Sequence, residues 1–210
     1  MRKRRVYGRQ HEEQLRTKII NQLIEVGDYK KHLEIGVFQS HLNFDKIKVD
    51  YKVGVDPGKE GYAEATFTMT SDEFFELTDD KFDTIFIDGL HHADQVYKDI
   101  VNSLGALKDG GTIICHDMNP QREEDQQIPQ IQDDRVWNGD CWKAFVQLRM
   151  ERDDLKMCVI DADWGLGIIQ RGSQEKIEEA ELTYENFNKN REKWLNLISP
   201  KEFFDKWVKE

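Results

Sequence analysis

The stretch FDTIFIDGLHHADQVYKDI, residues 82–100, decides the fold of this chain. Its first seven residues are mostly apolar, which predicts a buried strand ending in Asp88. His91 and His92 follow at once, and a helical pattern then begins. The apolar positions of that helix recur at helical spacing, namely Val96, Ile100, Leu104 and Leu107, and KDGG at 108–111 ends it. A buried strand that leads directly into an amphipathic helix is the repeating unit of α/β proteins.

Further strands and helices are predicted on both sides of this unit. Strands are predicted at 32–38 (HLEIGVF), 51–56 (YKVGVD), 65–69 (ATFTM), 111–117 (GTIICHD), 156–161 (KMCVID) and 165–170 (GLGIIQ). Helices are predicted at 11–26, where Gly27 ends the helix, at 71–77 with Ser71 or Asp72 as N-cap, and at 140–150 with Asp140 as N-cap. A polar loop at 119–136 precedes the last of these and is long enough for a lid or a binding loop.

This order of elements predicts an α/β fold with a doubly wound, mostly parallel sheet. The last two strands are joined by too few residues for a helix, so we expect an antiparallel C-terminal strand pair. We divide the single domain into an N-terminal helix (1–28), a core (29–172) and a helical C-terminal tail (173–210). The aromatic residues of the tail either cover the core or mediate a homodimer; they are Trp194, Phe203, Phe204 and Trp207.

The composition narrows the class of function. The net charge of -11 and the pI of about 5.1 argue against a nucleic-acid partner, because phosphate binding needs a broad basic face. The basic run MRKRR is expected to be a frayed end, because termini are seldom ordered, and the lack of an apolar segment behind it argues against a secretory signal. No run of apolar residues is long enough for a membrane span, so no membrane partner is predicted. Three widely spaced cysteines indicate buried thiols, and a cytoplasmic protein is expected.

The ends of the predicted strands carry the candidate site, because ligands of such sheets bind outside the carboxyl ends of the strands. Glu34 and Gly36 follow the first strand, and Asp56 ends the second. A glycine permits close approach of the backbone to a ligand, and an acid about 20 residues on can bind ribose hydroxyls. A tight turn with a helix-capping aspartate explains the same residues equally well. Ser71 and Asp72 either recognise a base or cap a helix.

Two further strand ends carry histidine next to aspartate. Asp88 precedes His91 by three positions, and His116 is adjacent to Asp117. If the two strands are neighbours, two carboxylates and an imidazole can hold a divalent cation with coordination positions left for a substrate. Taken singly, the histidines are ordinary residues at the start of a helix and Asp117 caps a turn. The two pairs together favour a functional site.

These residues resemble the class I S-adenosylmethionine-dependent methyltransferases. LEIGVFQS and KVGVDP look like the first two cofactor motifs of that fold, and residues 82–120 look like its fourth and fifth strands with the helix between them. The closer likeness is to a small branch that includes metal-dependent sugar O-methyltransferases of the macrocin type. The resemblance spans roughly residues 30–170 and therefore implies a Rossmann-like methyltransferase sheet.

The resemblance also implies roles for individual residues. The cofactor-binding set for S-adenosylmethionine would be Glu34, Gly36, Gln39, Asp56, Ser71, Asp72 and Asp88. The metal ligands, for Mg²⁺ or Mn²⁺, would be Asp88, His116 and Asp117. His91 would be the general base, with His92 structural, although their roles can be exchanged. Trp137 and Trp142 either form an apolar wall for the substrate or pack their helix against the sheet.

This chain departs from the pattern of the family at two positions. Gln39 stands where a glycine is usual, and His116 stands where a carboxylate is commoner. Imidazole suits Mn²⁺, Fe²⁺ or Zn²⁺ better than Mg²⁺. We expect an O-methyltransferase that acts on a small hydroxylated acceptor, sugar-like in character. The alternatives are a metal-dependent hydroxylase-like enzyme on the same fold and a non-catalytic cofactor-binding or scaffold protein.

Overall fold

The computed structural model describes residues 14–58, 64–130 and 137–207, in which seven strands form a single sheet. The strands are β1 (Lys31–Ile35), β2 (Tyr51–Val55), β3 (Phe82–Ile87), β4 (Leu107–Cys115), β5 (Leu155–Ile160), β6 (Leu166–Arg171) and β7 (Leu197–Ile198). The α-helices are α1 (Leu15–Gly27), α2 (Ser71–Leu77), α3 (Ala93–Ala106), α4 (Trp142–Glu151), α5 (Tyr184–Leu195) and α6 (Pro200–Lys206). Residues 1–13, which include MRKRR and the predicted start of the first helix, lie outside the described residues, as do residues 131–136 of the long loop.

The strand order is β2-β1-β3-β4-β6-β5-β7. The first four strands in this order are parallel to one another, while β6 runs antiparallel to both β4 and β5. The predicted α/β class, the mostly parallel sheet and the antiparallel pair are therefore confirmed. The chain reverses its winding between β1 and β3, and this switch point is where ligands of doubly wound sheets bind.

Apolar side chains cover both faces of the sheet, because successive residues of a strand point to opposite sides. In β3, Ile85 and Ile87 pack with α3, α4 and α5 on one face. Phe86, between them, packs with α1 and α6 on the other face. Helices thus pack on both faces of the sheet, and the candidate site lies at the carboxyl ends of the strands.

The predicted strand at 65–69 is wrong. Its only sheet contact among the described residues is an isolated bridge between Val55 and Phe67. The KDGG segment is a second correction, because it belongs to β4 and does not end a helix. β4 begins at Leu107, opposite Phe82, and an irregular segment at Gly110 and Gly111 restores the register by Thr112. Two glycines in sequence therefore mark a distorted strand start here.

Two predicted N-caps are also wrong. The N-cap of α2 is Thr70, whose hydroxyl accepts from the Glu73 N–H while the Glu73 carboxylate accepts from Thr70 in return. The N-cap of α4 is Cys141, whose side chain makes no capping hydrogen bond. Asp140 instead accepts from the backbone N–H of Ala93 at 2.7 Å, so it caps the first turn of α3. That contact ties the end of the long loop to the helix that follows Asp88.

The tail is mainly helical but contains one strand that the sequence did not indicate, β7, which pairs with β5. Of its aromatic residues, Phe203 is fully buried and Trp194 nearly so, which favours covering of the core. Trp142 is likewise fully buried and stacks on Phe187 at 4.2 Å between ring centroids. Its packing role is therefore the correct alternative. Among the described residues, no helix has the length and apolar character needed to cross a membrane.

Candidate functional site

All of the sequence-predicted site residues line one cavity of about 1090 Å³ at the carboxyl ends of the strands. They are Glu34, Gly36, Gln39, Asp56, Ser71, Asp72, Asp88, His91, His116 and Asp117. The sheet explains why they meet. β1 and β4 are the two neighbours of β3, and all three strands are parallel, so their carboxyl ends lie side by side. His92 does not line the cavity; it is the N-cap residue of α3 and makes no capping hydrogen bond with its side chain.

The centre of the cavity holds a cluster of two carboxylates and two imidazoles. His116 Nδ1 lies 2.8 Å from Asp117 Oδ2 and 3.3 Å from Asp88 Oδ1. His91 Nε2 lies 3.3 Å from the same Asp88 oxygen and 3.5 Å from the same Asp117 oxygen. Asp88, His116 and Asp117 each offer one ligand atom, and these three atoms lie within 4.8 Å of one another. Their side chains therefore converge on one point.

The outer oxygens of both carboxylates have partners of their own. Arg16, in the first turn of α1, donates from Nη1 to Asp88 Oδ2 at 2.9 Å. Asn138 donates from Nδ2 to Asp117 Oδ1 at 2.5 Å. These two hydrogen bonds fix the rotation of the carboxylates, so that Asp88 Oδ1 and Asp117 Oδ2 face the histidines. No sequence pattern indicated Arg16 or Asn138, since both lie on elements remote in sequence from the strand ends.

The charges of the cluster shift the pKa of its members. Burial alone would lower the pKa of His116, but the carboxylates of Asp117 and Asp88 raise it well above the usual histidine value. Burial alone would raise the pKa of Asp88, but His116, His91 and Arg16 hold it well below the usual range. The pKa of His91 is raised in the same way, because the opposing effect of burial is exceeded by the hydrogen bond to Asp88 and the charge of Asp117.

His91 is held from its far side by the end of the long loop. Its Nδ1 lies 3.3 Å from the carbonyl oxygen of Trp137, and the Trp137 indole stacks on the imidazole at 5.3 Å between centroids. A carbonyl can only accept, so Nδ1 carries the proton in this contact and Nε2 faces the two carboxylates. Gly139 makes the approach possible, because a Cβ there would lie 1.9 Å from the His91 carbonyl oxygen.

The turn between β5 and β6 adds residues that the sequence analysis missed. Asp163 accepts from both the backbone N–H and the Nε of Arg16, and its other oxygen lies 3.6 Å from His116 Nε2. Trp164 lines the cavity. Three residues have positive φ angles, which residues other than glycine rarely adopt: Asp117 (65°), Asp163 (47°) and Trp164 (62°). Such backbone strain is common at functional sites.

The predicted cofactor residues occupy the cavity wall on the β1 and β2 side. Glu34 is buried, its Oε2 accepts from Asn43 Nδ2 at 2.8 Å, and burial raises its pKa. Asp56 accepts from the backbone N–H groups of Phe38 and Gly58 at 2.8 and 2.7 Å. Its contacts fit the turn-forming alternative and leave its carboxylate at the cavity. Gln39 is exposed at the cavity rim.

Gly36 is required by the packing of two loops. Its φ is +87°, and a Cβ at this position would lie 2.1 Å from the backbone oxygen of Asp88. The glycine thus allows the turn after β1 to pack directly against the turn after β3. It brings the cofactor-side residues and the acidic cluster into one cavity.

Ser71 and Asp72 lie at the start of α2, opposite two polar residues of α3. Ser71 donates to Asp99 Oδ1 at 2.6 Å, and Gln95 Nε2 lies 3.0 Å from Asp72 Oδ1. Asp99 and Gln95 both line the cavity, and the sequence analysis missed them. Asp99 offered a signal, since it lies between Val96 and Ile100 on the buried face of the predicted helix. Burial raises the pKa of Asp99, while the hydrogen bonds from Ser71 and Gln95 act in the opposite direction.

Comparisons with known proteins identify the family and support the fold. A family described as a methyltransferase domain matches residues 10–118, more than half of the chain. No curated protein matches the sequence.

Three solved structures illustrate the shared fold. An O-methyltransferase from Bacillus cereus in complex with S-adenosylhomocysteine is 16% identical, with 78% of this chain and 83% of that chain covered and a TM-score of 0.54. An S-adenosylhomocysteine-bound methyltransferase from Podospora anserina is 16% identical over 78% of this chain and 80% of that one, with a TM-score of 0.55. The O-methyltransferase TomG from Streptomyces achromogenes, in complex with S-adenosylmethionine, is 14% identical over 75% of this chain and 80% of that one, with a TM-score of 0.53.

Proposed function

The chain belongs to the methyltransferase-domain family as a class I S-adenosylmethionine-dependent methyltransferase, and on that premise we propose that it methylates a hydroxyl group of a small acceptor with the help of a divalent cation. Asp88, His116 and Asp117 would hold the cation and His91 would be the general base. The observation that carries the proposal is the convergence of two imidazole nitrogens on the same two carboxylate oxygens.

The spacing of these atoms fits a coordination sphere. With bonds of about 2.1 Å, neighbouring donor atoms lie about 3.0 Å apart in an octahedron and about 3.4 Å apart in a tetrahedron. Among the proposed ligands, His116 Nδ1 lies 2.8 Å from Asp117 Oδ2 and 3.3 Å from Asp88 Oδ1. Arg16 and Asn138 hold the outer oxygens, which is the arrangement that orients metal-ligating carboxylates in proteins.

The donor set bears on which cation would bind. Carboxylate oxygens suit Mg²⁺ and Mn²⁺ alike, whereas the imidazole of His116 favours Mn²⁺ or another transition metal over Mg²⁺. When bound, a divalent cation lowers the pKa of a coordinated hydroxyl group and thereby supplies a better nucleophile.

His91 is placed to accept the proton of that hydroxyl. Its Nδ1 proton is committed to the Trp137 carbonyl, and Nε2 faces Asp88 and Asp117. Those two carboxylates raise the pKa of His91 against the effect of burial, and a cation bound to them would take over their negative charge and leave Nε2 available to accept the proton. Methyl transfer from a sulfonium needs no other acid or base, because the leaving group departs as a neutral thioether.

The acceptor is proposed to be a ring-shaped, sugar-like molecule. Trp137 and Trp164 line the cavity, and their indole rings supply flat apolar surface next to the polar cluster. Pockets that combine aromatic walls with a few convergent polar groups are typical sites for small molecules.

Metal binding can be tested without an acceptor. We expect Mn²⁺ to bind the protein saturated with S-adenosylhomocysteine in isothermal titration calorimetry, and we expect Asp117→Asn to weaken that binding at least tenfold. Asp161→Asn is the matched control, since Asp161 is an exposed carboxylate after β5 and outside the cluster. Equal affinity in wild type and Asp117→Asn would exclude the proposed site.

Methyl transfer can be tested with S-adenosylmethionine carrying a labelled methyl group and a panel of catechols, hexoses and nucleotide sugars. We expect His91→Gln to bind S-adenosylhomocysteine normally but to transfer methyl groups about 10²–10⁴-fold more slowly. His92→Gln, the neighbouring histidine outside the cavity, should retain wild-type rates. Full activity of His91→Gln would exclude His91 as the general base. Mn²⁺-dependent oxidation of the panel, or cofactor binding without turnover, would favour the two alternatives instead.

A further inference from the structure

The turn between β5 and β6 is fixed beside the end of β4. β6 pairs with β4 up to Cys115, so the turn lies next to His116, which follows that strand. The backbone N–H groups of Met118 and Asn119 donate to two carbonyl oxygens of the turn at 3.1 and 2.8 Å. The position of Asp163, which belongs to this turn, is therefore set by contacts of the backbone.

The two carboxylate oxygens of Asp163 have different surroundings. Oδ2 accepts from the backbone N–H and from the Nε of Arg16, at 3.2 and 3.1 Å. Oδ1 accepts no hydrogen bond from the residues that the structure describes, and the nearest nitrogen of His116, Nε2, lies 3.6 Å from it. Arg16 thus orients the carboxylate so that its unoccupied oxygen faces the imidazole.

His116 carries a buried nitrogen that lacks a partner. Its side chain is 5% exposed, and Nε2 makes no hydrogen bond within the described part of the chain. An N–H···O hydrogen bond needs about 2.7–3.2 Å between its heavy atoms, so a movement of roughly 0.5 Å would join Nε2 to Asp163 Oδ1. A buried donor without an acceptor is costly, and this hydrogen bond would therefore stabilise a His116 that carries its proton on Nε2.

The position of that proton decides whether His116 can bind a cation. A neutral imidazole carries one proton, and the other nitrogen is the one that can bind a metal ion. Nδ1 is the nitrogen that faces Asp88 and Asp117. A proton held on Nε2 therefore leaves Nδ1 as a ligand, and a carboxylate that accepts this proton makes the imidazole more basic.

We propose that Asp163 is a positioning residue for His116, and that by accepting the Nε2 proton it gives the site a preference for cations that bind imidazole, such as Zn²⁺, over Mg²⁺. Mg²⁺ binds mainly through oxygen, so its affinity depends less on the imidazole. This role of Asp163 rests on the cation site of the proposed function. It is independent of the methyl acceptor and of His91.

The test is calorimetric titration of the full chain, saturated with S-adenosylhomocysteine, with Zn²⁺ and with Mg²⁺. Asp163→Asn suits it because asparagine tolerates the φ of 47° at this position. Its amide oxygen would accept from Arg16 and its amide N–H would face His116 Nε2, which favours the proton on Nδ1. We expect the affinity for Zn²⁺ to fall about 10–100-fold, and the ratio of the Zn²⁺ and Mg²⁺ affinities to fall roughly fivefold or more. Asp161→Asn, at an exposed carboxylate of the same turn, is the matched control and should keep the wild-type ratio.

Two further variants separate this role from a purely structural one. Asp163→Gly also permits the positive φ and removes the acceptor, so it should lower the ratio in the same direction. In a His116→Ala background, Asp163→Asn should leave the ratio unchanged, because no imidazole remains to be positioned. Equal loss of affinity for both cations in Asp163→Asn, or an unaltered ratio, would overturn the role of Asp163 and leave the cation site intact. A wild type that binds neither cation would overturn the cation site as well.

Discussion

Arg16 Nη1 donates to Asp88 Oδ2 over 2.9 Å, and the other oxygen of the same carboxylate faces His91 and His116 at 3.3 Å each. Arg16 is 72 residues away from Asp88 in the sequence. Its Nε and backbone N–H both reach Asp163 in the turn between β5 and β6. The first turn of α1 is thus joined to the site through two carboxylates.

Replacing Arg16 should destabilise the fold. In Arg16→Met, the partly buried carboxylates of Asp88 and Asp163 lose one of their positively charged partners, and the start of α1 loses the Arg16 contacts that join it to the site. Loss of one partner of a buried ion pair costs about 3–5 kcal/mol, and partial exposure reduces this, so we expect a loss of about 2 kcal/mol in the free energy of unfolding. Urea denaturation measures it.

A matched control is Lys201→Met, which breaks an exposed ion pair with Asp205 on α6. Its free energy of unfolding should equal that of wild type within error. If both variants lost the same stability, the role of Arg16 in joining α1 to the site would be wrong.

Asn138 should act on the metal site through Asp117. Its Nδ2 is the donor to Asp117 Oδ1, and Asn138→Ala would free that carboxylate to rotate. Because partners of metal ligands typically change affinity by about 10–100-fold, we expect a loss of this size for Mn²⁺ in calorimetry. Asn102→Ala on α3 provides the comparison. An unaltered affinity in Asn138→Ala would mean that Asp117 is oriented without Asn138.

Substitution by alanine should have opposite effects on the stability of the fold at Gly36 and at Gly105. A Cβ at Gly36 would lie 2.1 Å from the Asp88 backbone oxygen, and the φ of +87° is unfavourable for alanine, so Gly36→Ala should cost about 2 kcal/mol or more. Gly105 lies in α3 with nothing within 4 Å of an added Cβ, so Gly105→Ala should stabilise by up to about 1 kcal/mol. Thermal or urea unfolding shows whether each variant is more or less stable than wild type. A stabilised Gly36→Ala variant would contradict the packing of the two turns.

The centre of the site could be predicted from the sequence because it lies at strand ends. Asp88, His116 and Asp117 follow strands whose apolar runs are clear, and parallel neighbours bring their carboxyl ends together. The same rule located Glu34, Gly36 and Asp56 at the cavity.

The partners of these residues could not be predicted in this way. Arg16, Asn138 and Asp163 come from a helix, a loop and a turn whose placement depends on tertiary packing. Their sequence neighbourhoods carry only ordinary helix or turn signals. The predicted strand at 65–69 failed for a related reason: β-branched and aromatic residues favour a strand, but only Phe67 makes a bridge to β2.

Asp83 offers a test of electrostatics away from the site. It accepts from the backbone N–H groups of Lys30 and Lys31 and from Lys108 Nζ, at 3.0, 2.8 and 2.9 Å. Partial burial alone would raise the pKa of Asp83, but these donors lower it below the usual aspartate value. A carboxyl group whose folded-state pKa is lowered stabilises the fold above its unfolded pKa of about 3.9, and this contribution is lost as the pH falls through the folded-state pKa.

Asp83→Asn should therefore be less stable than wild type by about 1–2 kcal/mol at pH 7, because hydrogen bonds to a charged acceptor are replaced by weaker ones. The difference should shrink as the pH is lowered below about 4, because the carboxyl group of the unfolded wild type takes up its proton there and that of the folded protein does so at lower pH. Urea denaturation of both proteins from pH 7 down to about pH 3 measures this difference in the free energy of unfolding. Asp79→Asn, at an exposed aspartate before the same strand, is the matched control. A gap between Asp83→Asn and wild type that stays constant over this range would show that the charge of Asp83 makes no contribution.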